Sequence, residues 1–164
     1  MTFVKRADKI MFMEVDTEFN RMKGFTSLST NKNPKEYTRQ YVDEPFEATD
    51  LVAISTSTDF TFDQKVGDPV HDKMVSIIDG EKIGDDAVVT LLLVDFTKKG
   101  STPGSFKAVK RDFTLIPGTE GDSLDAYTYG GTFKVKGPRI EGEATSIDDF
   151  EKTCTFVQEG ETGI

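Results

Sequence analysis

The side chains that most often carry out catalysis are scarce in this chain. It has one histidine, His71, one cysteine, Cys154, and no tryptophan among 164 residues. A Ser-His-Asp or Cys-His arrangement would need His71 as its base, and the helical pattern around it places His71 on an exposed side, next to Asp72. No GxSxG, P-loop, GxGxxG, HExxH, EF-hand loop or paired CxxC motif occurs. We therefore expect the protein not to be an enzyme.

Carboxylates and tyrosines offer the remaining chemistry. Asp85-Asp86 and Asp148-Asp149 could contribute to a Ca²⁺ or Mg²⁺ site, although acidic loops in solvent explain them more simply, and we predict no metal and no cofactor. Two carboxylates across a cleft would also suit a glycosidase. A carbohydrate-binding β-sandwich module stays open as well, because tyrosine rings could stack on sugars in place of tryptophan. The four tyrosines are Tyr37, Tyr41, Tyr127 and Tyr129.

The composition describes an acidic, folded chain. Twenty basic and 29 acidic residues give a net charge of −9, which argues against a protein that grips nucleic acid. An apolar content of 36% with 13 phenylalanines is too high for a disordered polyelectrolyte. No stretch approaches the ~18 apolar residues of a membrane span, and Cys154 alone forms no internal disulfide. We expect one soluble domain over residues 1–164, made in a reducing cytoplasm and not inserted into a membrane.

One long strand and one helix are the clearest elements. Residues 51–63 alternate, with Val52, Ile54, Thr56, Thr58, Phe60 and Phe62 on one face and Ala53, Ser55, Ser57, Asp59 and Thr61 on the other. Asp68 can cap a helix that has Pro69 at its first position and ends at Gly80. Its apolar stripe for packing on a sheet consists of Val70, Met74, Ile77 and Ile78.

The remaining segments are mostly short strands. Residues 1–24 are interpreted as an arm with one or two short strands, 25–30 and 36–43 as strands around a loop at 31–35, and 87–96 as a strand apolar on both faces. Strands are also expected over 104–116 with a bulge near Ala108–Val109, over 124–136 with a bend or close approach at Gly130-Gly131, and over 153–159 before a tail at 160–164. The pattern predicts a mainly β fold, with two packed antiparallel sheets in a sandwich or barrel and one flanking α-helix.

Several segments resemble the major tail tube proteins of long-tailed bacteriophages. The likeness lies in Lys23 to Glu47 (KGFTSLSTNKNPKEYTRQYVDEPFE), in the strand that ends FTFD at Asp63, and in PVHDK from Pro69. It continues through IGDDA from Ile83, FKAVKRDF from Phe106 and GDSLDAYTYGGTF from Gly121. Together these segments cover most of residues 23–135 in order.

This resemblance implies a structural virion protein. Members of the family form hexameric rings that stack into a tube, and double-stranded DNA passes through its lumen without specific binding. The implied partners are other copies of the chain and the tape measure, tail terminator and baseplate or distal tail proteins. The implied location is the virion tail, after synthesis in the host bacterial cytoplasm. An inner-tube protein of a contractile tail, or of a related secretion or injection apparatus, is the alternative.

The resemblance also suggests which residues make contacts. A protruding loop or hairpin at 31–47 would reach a neighbouring subunit or ring, assisted by the N-terminal arm, although an ordinary solvated hairpin fits the same residues. Its contact candidates are Asn31, Lys32, Asn33, Pro34, Lys35, Glu36, Tyr37, Arg39 and Tyr41. Candidates to line an acidic lumen are Ser55, Ser57, Asp59 and Thr61.

Overall fold

The computed structural model describes residues 1–159, so the tail expected at 160–164 lies outside the described residues and the extent of the domain to residue 164 stays a prediction. Residues 1–159 form eleven strands, one α-helix and two short 3-10 helices. The helix is α1 (Pro69–Asp79). The strands are β1 (Lys9–Val15), β2 (Glu18–Arg21), β3 (Phe25–Asn31), β4 (Pro34–Arg39), β5 (Ala48–Ile54), β6 (Ser57–Asp63), β7 (Val88–Lys99), β8 (Phe106–Glu120), β9 (Thr128–Val135), β10 (Ile140–Thr145) and β11 (Thr153–Gln158).

Nine of these strands form one antiparallel sheet that curls and closes at one end. The order is β10-β11-β2-β1-β7-β8-β9-β6-β3, and β10 also pairs with β8. This extra pairing closes β10, β11, β2, β1, β7 and β8 into a small barrel, whereas β9, β6 and β3 continue as an open sheet. The prediction of a mainly β, sandwich-like or barrel-like fold with one flanking helix is confirmed, and a single continuous sheet supplies the closure.

Two apolar cores lie on opposite faces of this sheet. The helix-side core contains Met13, Phe60, Phe62, Leu91 and Phe133 together with α1. The barrel core contains Phe12, Leu92, Val94, Ala108 and Cys154. Because side chains alternate between faces along a strand, β7 sends Val89 and Leu91 into one core and Leu92 and Val94 into the other. This arrangement explains why that strand is apolar on both faces.

The two cores also remove the need for the bulge predicted near Ala108–Val109. The pairing of β7 with β8 runs without interruption from Val88–Thr114 to Asp95–Lys107. Ala108 lies in the barrel core and Phe113 in the helix-side core, so the change of apolar phase marks a change of core on a regular strand. The predicted bulge is therefore wrong.

The N-terminal segment differs from the predicted arm over 1–24. β1 lies in the middle of the sheet, between β2 and β7, and Phe12 and Met13 are both fully buried. These neighbouring residues point into different cores. The sequence of β1 therefore shows no single apolar face, and its apolar residues look scattered among charged ones. Residues 9–22 are consequently part of the framework, while Met1, Phe3 and Val4 are exposed.

Helix α1 lies closest to β1 and β2 and covers the helix-side core. The Asp68 carboxylate accepts hydrogen bonds from the main-chain N–H groups of Val70 and His71, and Pro69 occupies the first turn. Val70, Met74, Ile77 and Ile78 are all buried in the helix-side core. Gly80 ends the helix with its N–H donating to Ser76 O.

At Gly131 the strands β8 and β9 approach each other closely. A close approach is one of the two alternatives predicted for Gly130-Gly131, the other being a bend. A Cβ atom at Gly131 would lie 2.4 Å from Ile116 O and 2.9 Å from the Phe60 ring. Glycine is therefore required there by space, and it lets the β9 backbone pack directly over an aromatic ring.

Candidate functional site

The strands β3 to β6 form one long β-hairpin that breaks in the middle. Its base, β3 paired with β6, belongs to the nine-stranded sheet, whereas its outer half, β4 paired with β5, is a separate two-stranded sheet. Both sides break at the same level, at residues 32–33 and at residues 55–56. We call residues 34–54 the projecting hairpin and its loop at 40–47 the hairpin tip.

Asn33 fixes this break. It has a φ of 46°, a left-handed conformation that asparagine tolerates better than most residues. Its side-chain amide donates to Ser55 O and to Ser57 Oγ, both at 2.8 Å. The Ser55 N–H donates in turn to Lys32 O at 3.0 Å. These bonds tie the two sides of the hairpin together at its base and set the direction in which the outer half leaves the sheet.

The projecting hairpin carries an ionic and aromatic cluster on one face. The Arg39 guanidinium pairs with Asp50, and its Nε donates to Tyr41 Oη at 2.7 Å. The same guanidinium lies 5.2 Å from the Tyr37 ring centre and 5.4 Å from that of Tyr41. The hydrogen bond to Asp50, followed by the one to Tyr41, raises the pKa of Arg39. Because these groups are exposed, the cluster orders the surface more than it stabilises the fold.

The predicted contact residues occupy three different parts of this hairpin. Asn31 ends β3, Lys32 and Asn33 form the break, and Tyr41 lies in the tip. The other five candidates lie in β4, and they are Pro34, Lys35, Glu36, Tyr37 and Arg39. The loop predicted at 31–35 is wrong, because the chain passes from one strand to the next there and reverses only at 40–47.

The continuous strand predicted over 51–63 is also divided by the break. Thr58, Phe60 and Phe62 are buried as expected, but Val52 and Ile54, expected on the same core face, are about half exposed. The physical reason is that, among residues 1–159, β5 pairs only with β4 in a separate two-stranded sheet, and almost every residue of these two strands is exposed. Sequence reasoning therefore missed a group of exposed apolar residues on the projecting hairpin, which consists of Val42, Phe46, Leu51, Val52 and Ile54. The signal that could have revealed it is the mostly polar character of the partner segment Lys35–Arg39, in which Tyr37 is the one large ring.

The predicted lumen residues mostly share one polar surface. Ser57, Asp59 and Thr61 alternate with the buried residues of β6, whereas Ser55 lies in the break. By the strand registers they adjoin polar residues of β3, β9, β8 and β7. We call this set the polar sheet face, and it contains Ser27, Ser29, Asn31, Ser57, Asp59, Thr61, Asp63, Thr90, Asp112, Thr114, Thr128, Thr132 and Lys134.

Threonine hydroxyls hold the carboxylates of the polar sheet face. Thr132 donates to Asp59 at 2.8 Å, Thr128 to Asp63 at 2.9 Å and Thr90 to Asp112 at 2.7 Å. With Lys134 as the one cation in the defined set, its formal charge is 1 − 3 = −2. The surface is therefore moderately acidic, and its acids are fixed across strands instead of reaching freely into solvent.

The four strands β3, β6, β9 and β8 have an open edge on both sides. Among residues 1–159, β3 pairs only with β6. On the other side, β8 pairs with β7 no further than Thr114, while its end from Leu115 to Glu120 pairs only with β9 within the described part of the chain. At the β3 edge the Arg6 side chain donates to Leu28 O at 3.2 Å, so Leu28 directs its main-chain groups away from β6, and Arg6 already covers this one carbonyl. Open main-chain groups of this kind are templates for pairing with another chain.

His71 lies in the core, contrary to the prediction of an exposed position. It is fully buried, its Nδ1 accepts from the Lys65 N–H at 3.0 Å, and its Nε2 lies 2.6 Å from Lys23 O. The ring packs between Phe25 and Phe62 at centre distances of 5.7 and 4.7 Å. His71 precedes Met74 by three residues and Ile78 by seven, so helical spacing alone could have placed it on the buried stripe.

The other side chains considered for chemistry are likewise engaged in structure. Burial, and to a lesser degree Asp148, raises the pKa of the Cys154 thiol to about 12. Burial and a hydrogen bond to Asp79 raise the pKa of Tyr129 to about 12, and the ring is buried, so it offers no sugar platform beside Tyr127. Within residues 1–159 no three His, Cys, Asp or Glu side chains are grouped to hold a metal ion. None of the helices in that range has the length and apolarity to cross a membrane.

Comparison with known proteins is informative for the fold. No family model matches the chain, and no curated protein matches it. Among solved structures, a chain of the virion of a native gene transfer agent (GTA) particle matches with a TM-score of 0.54 and 12% sequence identity. The match covers 84% of this chain and 97% of that chain. The protein therefore shares its fold with a chain of a virion particle.

Proposed function

We propose that this chain is a structural virion protein that polymerises as stacked hexameric rings into a phage tail tube. The observation that carries the proposal is the four-stranded sheet with a polar outer face and an open edge on each side. If β3 of one copy pairs with the Leu115–Glu120 edge of β8 in the next, the sheets join into a closed β-wall and both open edges of the four-stranded sheet are covered. The fold shared with a virion chain supports this interpretation.

In this proposal the polar sheet face lines the channel. A conduit for DNA must not bind phosphates, and a wall of serine, threonine and aspartate offers few cations to do so. The partners would be the tape measure, tail terminator and baseplate or distal tail proteins, and the location would be the virion tail. The protein would act without enzymatic activity, and DNA would pass without specific contacts.

Electron microscopy of the purified protein tests the proposal. We expect negative-stain images of concentrated protein to show rings or tubes with a central channel, and sedimentation to show association that grows with concentration. A protein that remains a monomer at every concentration would refute it.

The edge pairing has its own test at Thr30. Thr30 lies two residues after Leu28 on β3, so its N–H also points away from β6, and a proline there removes this donor without breaking the β3–β6 pairing. We expect Thr30→Pro to fold and to remain unassembled, and Thr30→Ala to assemble like the wild type, because both variants lose the side-chain contact to Thr58 but only the first loses the N–H. Equal assembly of the two variants would exclude β3 as the pairing edge.

A further inference from the structure

A cleft with a basic rim lies at the base of the projecting hairpin. Its apolar floor is formed by Leu91, Leu93 and Val109, and its rim carries the cations Lys32, Arg111 and Arg139. Leu93 is 38% exposed, so the floor is open to an incoming group. We call these six residues the basic cleft. Its volume of about 110 Å³ is close to the ~150 Å³ of an apolar cavity that holds a benzene ring, so it has room for about one aromatic side chain.

The charge of this cleft is opposite to that of the whole protein. The chain has a net charge of −9, yet the lining of the cleft includes three basic residues and no acidic one. Arg111 is held in place by Gly137, whose carbonyl oxygen accepts from Nε at 2.8 Å, and among residues 1–159 neither Arg111 nor Lys32 has a carboxylate within 4.0 Å. Arg139 has one exposed partner, Glu141, at 3.1 Å. The rim therefore has positive charge available for an anionic partner.

The hairpin tip has the complementary character. Residues 40–47 include the acids Asp43, Glu44 and Glu47, the exposed apolar residues Tyr41, Val42 and Phe46, and no lysine or arginine. The tip is ordered, because the Glu44 N–H donates to Tyr41 O and the Gln40 side chain donates to Glu44 O, both at 3.0 Å. Within residues 1–159 none of the three acids forms an ion pair. An acidic turn with a prominent aromatic ring is suited to an apolar cleft with a cationic rim.

The tip of a given copy does not reach the cleft of the same copy. Lys32, on the rim of the cleft, lies at the break where the projecting hairpin begins. The six paired residues of β4 carry the tip about 20 Å beyond this break at ~3.3 Å per residue. Folding back would require the β4–β5 pairing or the Asn33 bonds to be lost. Because the tip and the cleft lie at opposite ends of the projecting hairpin, the tip of one copy can meet the cleft of the next in a head-to-tail contact.

We propose that the hairpin tip of one copy docks in the basic cleft of a neighbouring copy, with Phe46 or Val42 on the apolar floor and the acids of the tip against Lys32, Arg111 and Arg139. This proposal rests on the proposed self-assembly and adds a second contact between copies to the edge pairing of β3 with β8. Each copy donates one tip and accepts one, so the contact propagates from copy to copy and closes only through the symmetry of the assembly.

Charge reversal tests the docking. A tip variant carries Asp43→Lys and Glu47→Lys, and a cleft variant carries Lys32→Glu and Arg139→Glu; Arg111 is retained because it holds Gly137. We expect each variant alone to need at least tenfold more protein to assemble, as measured by sedimentation, because like charges then face each other. We expect a 1:1 mixture of the two to assemble, since each tip then meets a cleft of opposite charge, and a chain with all four changes to assemble as well.

The controls separate this proposal from the proposed function. Asp122→Lys with Asp125→Lys makes the same change of charge as the tip variant on another exposed loop, and it should assemble like the wild type. If the wild type assembles and neither reversal raises the concentration required, or the mixture fails to recover, the docking is refuted while the tube proposal stands. A wild type that never associates would refute both.

A cross-link decides the matter if a reversed variant fails to fold. Val42→Cys combined with Leu93→Cys places one thiol on the tip and one on the floor of the cleft. Mild oxidation should produce a ladder of covalent multimers on a denaturing gel. Val66→Cys combined with Leu93→Cys, which places the first thiol on an exposed loop outside the tip, should produce none. Absence of the ladder from the first pair, or an equal ladder from the second, would overturn the docking.

Discussion

At the scale of single residues, the side chains whose types are best suited to catalysis have structural roles instead. His71 bridges two main-chain groups that would otherwise be unpaired in the interior, and it packs against two phenylalanine rings. Gly24 lies beside it with a φ of 77°, and a Cβ atom there would come within 2.9 Å of the imidazole. The histidine and the glycine therefore form one fitted unit that joins the start of α1 to the segment before β3.

The first prediction concerns His71. His71→Ala leaves Lys23 O and the Lys65 N–H without their partner and opens a cavity, so we expect the free energy of unfolding to fall by about 2–4 kcal/mol. Urea denaturation followed by circular dichroism measures this loss. Ser76→Ala, on the exposed side of the same helix, should change stability by no more than about 0.5 kcal/mol. Equal stability of the two variants would contradict the structural role of the imidazole.

The second prediction concerns Cys154. With a pKa of about 12, the thiol is ionised in only about one molecule in 10,000 at pH 8, compared with about one in four for an ordinary thiol. Because the thiolate is the reactive form, we expect iodoacetamide at pH 8 to label Cys154 in urea and to leave the folded protein unlabelled over the same time. Mass spectrometry measures the labelling. Rapid labelling of the folded protein would show that the thiol is accessible and ionised.

At the scale of elements, the projecting hairpin stands apart from the rest of the fold. A two-stranded hairpin is only marginally stable in isolation, and β4 and β5 expose apolar residues that a second layer would normally cover. The orientation of the hairpin therefore depends on the hydrogen bonds that Asn33 and Ser55 make at the break. Several exposed large apolar residues on one ordered projection are typical of a contact surface.

The third prediction is that the framework folds without this hairpin. Replacing residues 35–53 with Asn-Gly closes the break with a short turn and removes no residue of either core. We expect thermal unfolding to remain cooperative, with a midpoint within a few degrees of the wild type, and assembly to be lost in sedimentation and electron microscopy. Assembly at wild-type concentrations would show that the hairpin makes no required contact.

At the scale of the whole molecule, charge is distributed unevenly over the surfaces. The polar sheet face carries a formal −2 with its acids fixed by threonines, the hairpin tip carries −3, and the basic cleft carries +3. A net charge of −9 for the chain hides this pattern. Opposite charges occupy surfaces that would meet between copies, while a weakly acidic surface remains for the channel of the proposed tube.

The fourth prediction concerns that channel. Asp59→Lys with Thr61→Lys changes the formal charge of the polar sheet face from −2 to +1 without touching the hairpin tip or the basic cleft. We expect assembly to be retained and double-stranded DNA to be bound in a salt-dependent way, because cations on the wall would replace counterions on the phosphates. Co-sedimentation with DNA at two salt concentrations measures it. Asp122→Lys with Asp125→Lys is the control, and assemblies of the first variant that bind no more DNA than this control would exclude the polar sheet face as the wall.

The sequence by itself determined which strands and which helix form and which of their faces are apolar. The alternation of Thr58, Phe60 and Phe62, the cap at Asp68 and the stripe of Val70, Met74, Ile77 and Ile78 depend on local periodicity, which is why the strand, the helix and their buried faces could be predicted. Whether an apolar face is buried or exposed depended on what each strand pairs with and packs against. Val52 has the same pattern as Phe60, but it pairs within a lone two-stranded sheet and stays exposed, while Phe12 is buried because the pairing of β10 with β8 closes a barrel around it. A face is buried only when another element packs on it, and that element comes from residues distant in sequence. Only the tertiary structure therefore decided where the projecting hairpin, the open edges and the basic cleft lie.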